Sequence, residues 1–251
     1  MIKQFLPKNF KQFLWFVFKS PQRRWHELGY STLFTDIKGW LATRKKPTTL
    51  QPLTICIGIK NRSHNLLNFV IPSLNLAKNN ELITLSVYDC GSNDVEHLET
   101  EIKKVWNGPL IYQRKEGDFA RSKVFNTAVK QAPEGLILVC DADMSVPKNI
   151  VNLVNQYVSK HSAWFPHVWY TNADGSGRYY TESTGMMASS RATFLHIGGY
   201  DETIISWGYE DWYLFFAYYK HQIACIRSNE REFIHHYHES LKPKGFKPLF
   251  E

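Results

Sequence analysis

The chain has 251 residues, of which 43% are hydrophobic, 15% aromatic and 21% charged. This length fits one large domain or a domain with an appendage, and the composition excludes a wholly disordered chain. The net charge of +7 is uneven, because residues 1–50 hold ten Lys or Arg and two acidic residues, a net of +8 against −1 for the remainder. The basic domain surface that a nucleic-acid-binding protein needs is therefore not expected.

Residues 1–50 read as a basic N-terminal appendage and linker, and residues 51–251 as the main domain. Hydrophobic residues at 10, 13, 14, 17 and 18 follow the period of an amphipathic helix, and lysines flank them. Two interpretations are open: this helix lies on an anionic membrane, or it packs on the domain or on a second subunit. Its apolar run is too short to span a bilayer, and it lacks the features of a cleavable signal peptide.

The cysteine pattern indicates a reducing compartment. The chain has four cysteines, far apart and without any CxxC pair: Cys56, Cys90, Cys140 and Cys225. Buried free thiols are the expected state, as in cytoplasmic proteins. We therefore expect a cytoplasmic protein, with residues 1–30 as a peripheral contact to the inner face of the membrane.

After the linker, strand-like and helix-like segments alternate. In chain order they are a strand at 53–59, a helix at 64–77 that Pro72 kinks or breaks, a strand at 83–89, a helix at 92–106 capped by Asn93, a strand at 110–115, a helix at 118–132 and a strand at 135–143. Such alternation predicts an α/β fold with a doubly wound, mostly parallel sheet, which binds ligands at the carboxyl ends of its strands.

Charged side chains follow each predicted strand. They include Lys60 and Arg62 after the first, Asp89 after the second, Arg121 in the helix after the third, and Asp141 with Asp143 after the fourth. For any one of these residues, the alternative explanation is that it is a solvated charge at the end of a loop. Because all these positions belong to the ligand-binding edge, we interpret them as one site.

Asp141 and Asp143 are two residues apart at a strand end, so period-2 geometry places both on one side. Two neighbouring carboxylates favour a divalent cation, whereas a simple turn-forming pair is the alternative. Together with the nearby Lys and Arg, a metal would hold a diphosphate. The first strand is followed by neither a P-loop nor a GxGxxG motif, so the usual nucleotide-binding loops are excluded.

The segment "WGYEDWYL" places the adjacent acids Glu210 and Asp211 before an aromatic run. Adjacent acids project in different directions, so one can orient a bound substrate while the other accepts a proton. A helix start, where acids favour the dipole, is the alternative and is compatible with that role.

Several segments together resemble the GT-A type of nucleotide-sugar glycosyltransferases, and most closely the branch of the β-1,4-galactosyltransferases and bacterial chondroitin polymerases. The similar segments, in chain order, are "IKNRSHNL", "VYDCGSND", "FARSKVFN", "DAD", "GGYDETIISWGYEDWYL" and "FIHHYHES". They span roughly residues 54–240.

The resemblance implies a role for each matching residue. On the donor side, Asp89 would bind uracil, Arg62 and Arg121 the nucleotide and its diphosphate, and Asp141 the ribose or donor sugar. Among the remaining matches, Asp143 would ligate the metal, Trp207 would lie under the acceptor sugar, Glu210 would bind an acceptor hydroxyl, and Asp211 would be the catalytic base. Three substitutions depart from the family pattern: Lys60 for Arg at the diphosphate, Cys90 for Asp, and Tyr209 for Gly, which narrows the acceptor side.

Further metal ligands would come from the histidines at 235, 236 and 238. The family spacing selects His235 and His238, which requires a turn, whereas an extended strand would favour His236 with His238. We favour His238 most. A histidine ligand points to Mn²⁺ over Mg²⁺.

We therefore expect an inverting, metal-dependent enzyme that transfers a sugar from a UDP-sugar to a polysaccharide or lipid-linked glycan by single displacement. The alternatives are a sugar-phosphate nucleotidyltransferase and a catalytically inactive module that binds a sugar nucleotide or a glycan. This interpretation requires the acids after the fourth strand and those at 210 and 211 to meet in one cleft.

Overall fold

The computed structural model describes residues 32–44, 47–204 and 209–238. The predicted amphipathic helix and Trp207 lie outside these ranges. Within them the strands are β1 (Leu53–Ile59), β2 (Ile83–Asp89), β3 (Leu110–Arg114), β4 (Leu136–Val139), β5 (Met144–Ser145), β6 (Ser162–Trp164), β7 (His167–Thr171), β8 (Gly177–Tyr180), β9 (Met187–Ser190), β10 (Ala224–Ile226) and β11 (Asn229–His235).

The helices of the described ranges are α1 (Leu33–Thr43), α2 (Ser63–Asn65, continued by a π-helical turn at Leu66–Val70 and by Ile71–Asn75), α3 (Leu98–Val105), α4 (Arg121–Lys130), α5 (Ile150–Tyr157), α6 (Arg191–His196) and α7 (Glu210–Lys220). A short 3-10 turn at Asn80–Leu82 precedes β2. Among the described residues, every helix falls short of the length and apolar content needed to cross a bilayer.

The main sheet has seven strands in the order β10-β6-β9-β4-β1-β2-β3. β1, β2, β3 and β4 are parallel, and β9 runs antiparallel between β4 and β6. A second sheet has the order β5-β11-β7-β8. The predicted α/β class with a mostly parallel sheet is confirmed.

The main sheet has an apolar core on each face, so it is covered on both sides. Residues 53, 55, 57 and 59 of β1 pack with α2, α3 and α5, whereas Cys56 faces the core formed with α4 and α7. Gly58 allows α4 to approach closely, because a Cβ at this position would overlap the side chain of Val124. The four cysteines are buried and free, as expected.

The predicted helix at 92–106 begins only at Leu98, so its first turn was predicted wrongly. Asn93 does not cap it, because the residue at the N-cap position is His97; the backbone N–H of Asn93 donates to the Asn61 side chain at 2.9 Å. Asp94 accepts hydrogen bonds from the backbone N–H and the hydroxyl of Ser63, at 2.8 and 2.6 Å. These long-range bonds hold residues 92–94 as a loop beside the start of α2.

Pro72 does not break its helix. The backbone instead widens into the π-helical turn just before it, which accommodates a residue that lacks an N–H donor.

Helix α1 lies within the range predicted as appendage and linker, and it packs beside β10 and β6. Its buried Asp36 accepts a hydrogen bond from the Tyr219 hydroxyl at 2.6 Å. Its other face exposes Phe34, Ile37 and Leu41. The domain boundary at residue 50 stays a prediction.

Candidate active site

Asp141 and Asp143 lie in the turn between β4 and β5, where the main sheet meets the second sheet. β4 ends at Val139 and β5 begins at Met144, so both acids have left regular strand geometry. Asp141 bonds to Arg121 and Asp143 to His238. The two carboxylates were expected to lie on one side of the strand. They bind two separate partners instead, because the chain turns at this point.

Asp143, His235 and His238 form a group able to hold a metal ion, since their ligand atoms all lie within 4.8 Å of one another. His238 Nε2 is 2.7 Å from Asp143 Oδ2, and His235 Nε2 is 3.7 Å from the same oxygen. The buried Asp143 Oδ1 and His235 Nδ1 have no hydrogen-bond partner among the described residues. One carboxylate and two imidazoles suit Mn²⁺ or a similar divalent ion, so the residues present fit the predicted metal.

The charge states of this group also suit a cation. Burial acts to raise the pKa of Asp143, but the hydrogen bond from His238 and the charge of His235 hold it below its ordinary value. Burial lowers the pKa of His235 despite the nearby carboxylates. A carboxylate and a neutral imidazole are the forms that ligate metals, and a bound cation would take the place of the imidazole proton beside Asp143.

His236 faces away from this group. Its Nε2 lies 2.7 Å from the Ser145 hydroxyl, and its ring stacks on Phe69 at 3.8 Å. β11 ends at His235, so the chain has left strand geometry before His238 and the period-2 argument for His236 with His238 does not apply. Of the two predicted pairings, the structure brings His235 and His238 together with Asp143.

Arg121 connects the two groups of acids. Its Nη2 donates to Asp141 Oδ1 at 3.0 Å and to the Gly185 carbonyl at 2.9 Å, while its Nη1 is 3.5 Å from Glu210 Oε1. Its side chain is 9% exposed and lies over the Phe125 ring at 4.6 Å. Burial opposes the charge of Arg121, but the surrounding acids, Asp141 first, raise its pKa well above the ordinary value. Arg121 therefore lies between one acid after β4, Asp141, and one acid of α7, Glu210.

Burial raises the pKa of Asp141 although Arg121 opposes this, and Asp143 adds to the rise. A bound cation would remove that carboxylate repulsion.

Glu210 and Asp211 open helix α7 and have different surroundings. Glu210 is buried against Arg121, whereas Asp211 Oδ2 accepts a hydrogen bond from the Thr184 hydroxyl at 2.8 Å. Asp211 Oδ1 accepts from the backbone N–H of Trp212 at 3.0 Å. The two acids thus point to different partners, as expected of adjacent residues.

Tyr209 precedes α7 with a φ of +72°, in the left-handed region that favours glycine. A bulky residue there is strained, and such strain is concentrated at functional sites. The strained tyrosine is held directly before the two acids.

On the predicted nucleotide side, Asp89 ends β2 and is fully buried. It accepts from the Tyr112 hydroxyl at 2.7 Å, Arg114 Nη1 at 2.9 Å and the Ser92 backbone at 2.7 Å. Its carboxylate is thus already bonded to three groups of the protein, and the predicted uracil contact stays a prediction.

The two predicted cations near β1 occupy different positions. Lys60 follows the strand and donates to the Gly117 carbonyl at 2.7 Å. Arg62 precedes α2 and is partly buried.

Sequence reasoning missed three residues that the structure adds: Thr184 at Asp211, Gly185 at Arg121, and Tyr170, whose ring stacks on His235 at 4.2 Å. Two of these lie in the loop between β8 and β9. The segments that resemble the family leave out residues 144–197, so they gave no signal for these three residues.

The fold is that of the GT-A glycosyltransferases, and the comparisons support the resemblance to them that the sequence shows. Residues 166–239 match the family described as the N-terminal domain of galactosyltransferase. Chondroitin sulfate N-acetylgalactosaminyltransferase 1 of Mus musculus and its Homo sapiens counterpart are each 24% identical over 185 residues. The match covers 62% of this chain and 35% of each relative, so the chain spans about a third of the length of the curated relatives it matches.

Solved structures share the fold at low sequence identity. The mannosyltransferase PcManGT from Pyrobaculum calidifontis, in complex with GDP-Man and Mn²⁺, has a TM-score of 0.57 and 15% identity, covering 87% of this chain and 68% of that one. GalNAc-T7 with UDP, GalNAc and Mn²⁺ has a TM-score of 0.61 and 17% identity, covering 76% of this chain and 45% of that one. S. aureus TarS 1–349 in complex with UDP has a TM-score of 0.58 and 14% identity, covering 74% and 60%.

Proposed function

We propose that the protein is an inverting, metal-dependent glycosyltransferase that moves a sugar from a UDP-sugar to a carbohydrate acceptor by single displacement. The observation that carries this proposal is the arrangement around Arg121, which joins Asp141, next to the metal-binding group, to Glu210 and so to the adjacent Asp211. One end of this cleft suits a diphosphate and the other suits an acceptor hydroxyl. Relatives named as N-acetylgalactosaminyltransferases, and two neighbours solved with Mn²⁺ and with GDP-Man or UDP, support it.

In this proposal Asp211 takes the proton of the acceptor hydroxyl as its oxygen attacks the anomeric carbon. The bond from that carbon to the diphosphate breaks at the same step, and UDP leaves with the bonding electrons. The Thr184 hydroxyl donates to one oxygen of Asp211 and so orients the carboxylate for this task.

The remaining residues bind and orient. Arg121 is positioned to neutralise charge near Asp141 and to orient Glu210, which would bind an acceptor hydroxyl. Asp143, His235 and His238 would hold Mn²⁺ or Mg²⁺, which supplies positive charge to the leaving diphosphate when bound. Trp207 and Tyr209 would line the acceptor side, and Asp89, Lys60 and Arg62 the nucleotide side.

The first test measures nucleoside diphosphate release from a panel of UDP-sugars and GDP-mannose with Mn²⁺, with and without glycan acceptors. Asp211→Asn should lower turnover by roughly 10²–10⁴-fold, because the proton acceptor is lost. UDP–Mn²⁺ binding, measured by calorimetry, should stay within about twofold, since binding does not use the base.

The matched control is Asp174→Asn, which neutralises an exposed turn carboxylate and should leave turnover unchanged. Wild-type turnover in Asp211→Asn would contradict the assigned base. Release of pyrophosphate from a nucleoside triphosphate and a sugar phosphate would instead identify a nucleotidyltransferase, and UDP-sugar binding without any turnover would identify an inactive module.

We also propose that residues 1–30 bring the enzyme to the inner face of the membrane, where a lipid-linked or polysaccharide acceptor would be reached. The basic charge of residues 1–50 supports this location. The apolar side chains that α1 exposes beside Lys38 add to it.

A further inference from the structure

Arg227 is a buried cation to which the mechanism above assigns no task. It follows β10 and is 5% exposed. Burial lowers the pKa of its guanidinium to about 10, and the opposing charges include that of Asp211. Arg227 therefore remains a cation at neutral pH, inside the domain and within the electrostatic reach of the proposed base.

The contacts of Arg227 are made to a single loop. Its Nη2 donates to the carbonyl oxygens of Thr181 and Ser183, at 2.9 and 2.5 Å. Its Nε and Nη1 are buried without a hydrogen-bond partner among the described residues. Burying a guanidinium with unpaired donors costs free energy. The two hydrogen bonds to the loop are therefore a poor reason for burying Arg227 if its role is only structural.

The loop at residues 181–185 is held at two points by two buried arginines. Arg227 holds the Ser183 carbonyl, and Arg121 holds the Gly185 carbonyl at 2.9 Å. Thr184 lies between these two anchors, and its side chain, in a residue only 1% exposed, donates to Asp211. The direction of this hydroxyl is thus fixed by the carbonyls on either side.

We propose that Arg227 is a positioning residue for the transfer reaction: it fixes the 181–185 loop so that the Thr184 hydroxyl orients Asp211 toward the acceptor. This inference rests on the proposed function, in which Asp211 is the base. Arg227 touches neither the reacting atoms nor the metal-binding group, and it acts through Thr184.

The chain offers a matched control in Arg191. Its guanidinium also binds backbone carbonyls, those of Val129 and Lys130, and it is largely buried. Its backbone N–H bonds to the Gly135 carbonyl at the amino end of β4, so it lies at the sheet edge opposite the site. Arg191→Lys repeats the chemical change of Arg227→Lys without touching the 181–185 loop.

The experiment uses the full chain and the sugar nucleotide that wild type turns over fastest in the panel above. Arg227→Lys and Thr184→Val should each lower kcat about tenfold or more, with the Kd for UDP–Mn²⁺ within about twofold of wild type. Thr184→Ser, which keeps the hydroxyl, and Arg191→Lys should retain kcat within about threefold. The double variant Arg227→Lys/Thr184→Val should have a kcat no lower than that of the slower single variant. Both changes act on the same contact, the hydrogen bond from Thr184 to Asp211.

Three results would overturn the inference while the proposed function stands. These are wild-type kcat in Arg227→Lys, wild-type kcat in Thr184→Val, and losses that multiply in the double variant. Should Arg227→Lys fail to fold by circular dichroism, the contrast between Thr184→Val and Thr184→Ser decides, and equal kcat values in that pair reject the role of the hydroxyl. A wild-type chain that releases no diphosphate from any donor would overturn the proposed function together with this inference.

Discussion

Three histidines lie within four residues at the end of β11, and two of them face Asp143. A period-2 strand would have selected His236 with His238. The strand stops at His235, so the chain can turn and bring His238 back to the same carboxylate. His236 is held instead by Ser145 and Phe69.

His238→Ala should weaken Mn²⁺ binding roughly 10–100-fold or more, because it removes a ligand that already contacts Asp143. His236→Ala is the matched control, and its Mn²⁺ affinity should stay within about threefold of wild type, because that ring points away from the group. Isothermal calorimetry with Mn²⁺ and UDP measures both. Equal losses in the two variants would reject the assignment of His235 and His238 as the ligand pair.

Another histidine, His167 at the start of β7, predicts how stability depends on pH. Burial, followed by the charge of Arg227, lowers the pKa of His167 to about 3, against the opposing hydrogen bond with Asn229. The unfolded chain binds a proton near pH 6.5 and the folded chain does not, so stability is full above that pH and falls as the pH drops toward 3.

Because His167 is protonated only in the unfolded chain, the free energy of unfolding should be lower at pH 5 than at pH 8 by about 2 kcal/mol. This follows from about 1.36 kcal/mol per pH unit below 6.5. Urea denaturation at both pH values measures this. His167→Gln should flatten this pH dependence, whereas His64→Gln, at an exposed site, should leave it unchanged. The same slope in His167→Gln as in wild type would show that other groups cause it.

At the scale of elements, β1 and α4 must lie close together for Arg121 to reach the cleft. Gly58 in β1 permits this, since an added Cβ would overlap the side chain of Val124 in α4. The site therefore depends on a position without a side chain in the middle of a strand.

Gly58→Ala should lower the free energy of unfolding by about 1–3 kcal/mol, because the packed helix must shift. Gly117→Ala is the control, since its added Cβ would meet no atom within 4 Å. Urea denaturation measures both variants. Equal stability of Gly58→Ala and wild type would show that α4 can move without cost.

At the scale of the whole molecule, the basic charge is concentrated before the main domain. Residues 1–50 carry a net charge of +8, whereas the rest of the chain carries −1 and is close to neutral. This asymmetry favours attachment to an anionic surface through one end of the chain.

Replacing Lys8, Lys11 and Lys19 by Glu should weaken binding to vesicles that contain anionic lipid, by about 1 kcal/mol or more per lysine. The control of equal charge replaces the exposed residues Lys103, Lys104 and Lys130 and should bind as wild type. Co-sedimentation at low and high salt measures binding, which should fall as salt rises. Undiminished binding of the first variant would reject membrane contact through this segment.

The sequence by itself predicted the order of strands and helices from β1 to β4 and the class of fold, and it singled out the residues that meet around Asp143 and Arg121. Hydrophobic periodicity can be read from a short segment of sequence. In any parallel sheet, charged residues at successive strand ends lie at one edge. The bounds of β1 and β2 were predicted at both ends for this reason.

Tertiary structure alone decided three matters: the late start of α3, the histidines that face Asp143, and the tie from Arg227 through the 181–185 loop to Asp211. Each depends on bonds between residues far apart in the chain. Asp94 accepts from Ser63, 31 residues away, and Thr184 donates to Asp211 from a loop whose carbonyls accept from Arg121 and Arg227. Local patterns carry no information about such partners, since they form only when distant segments pack together.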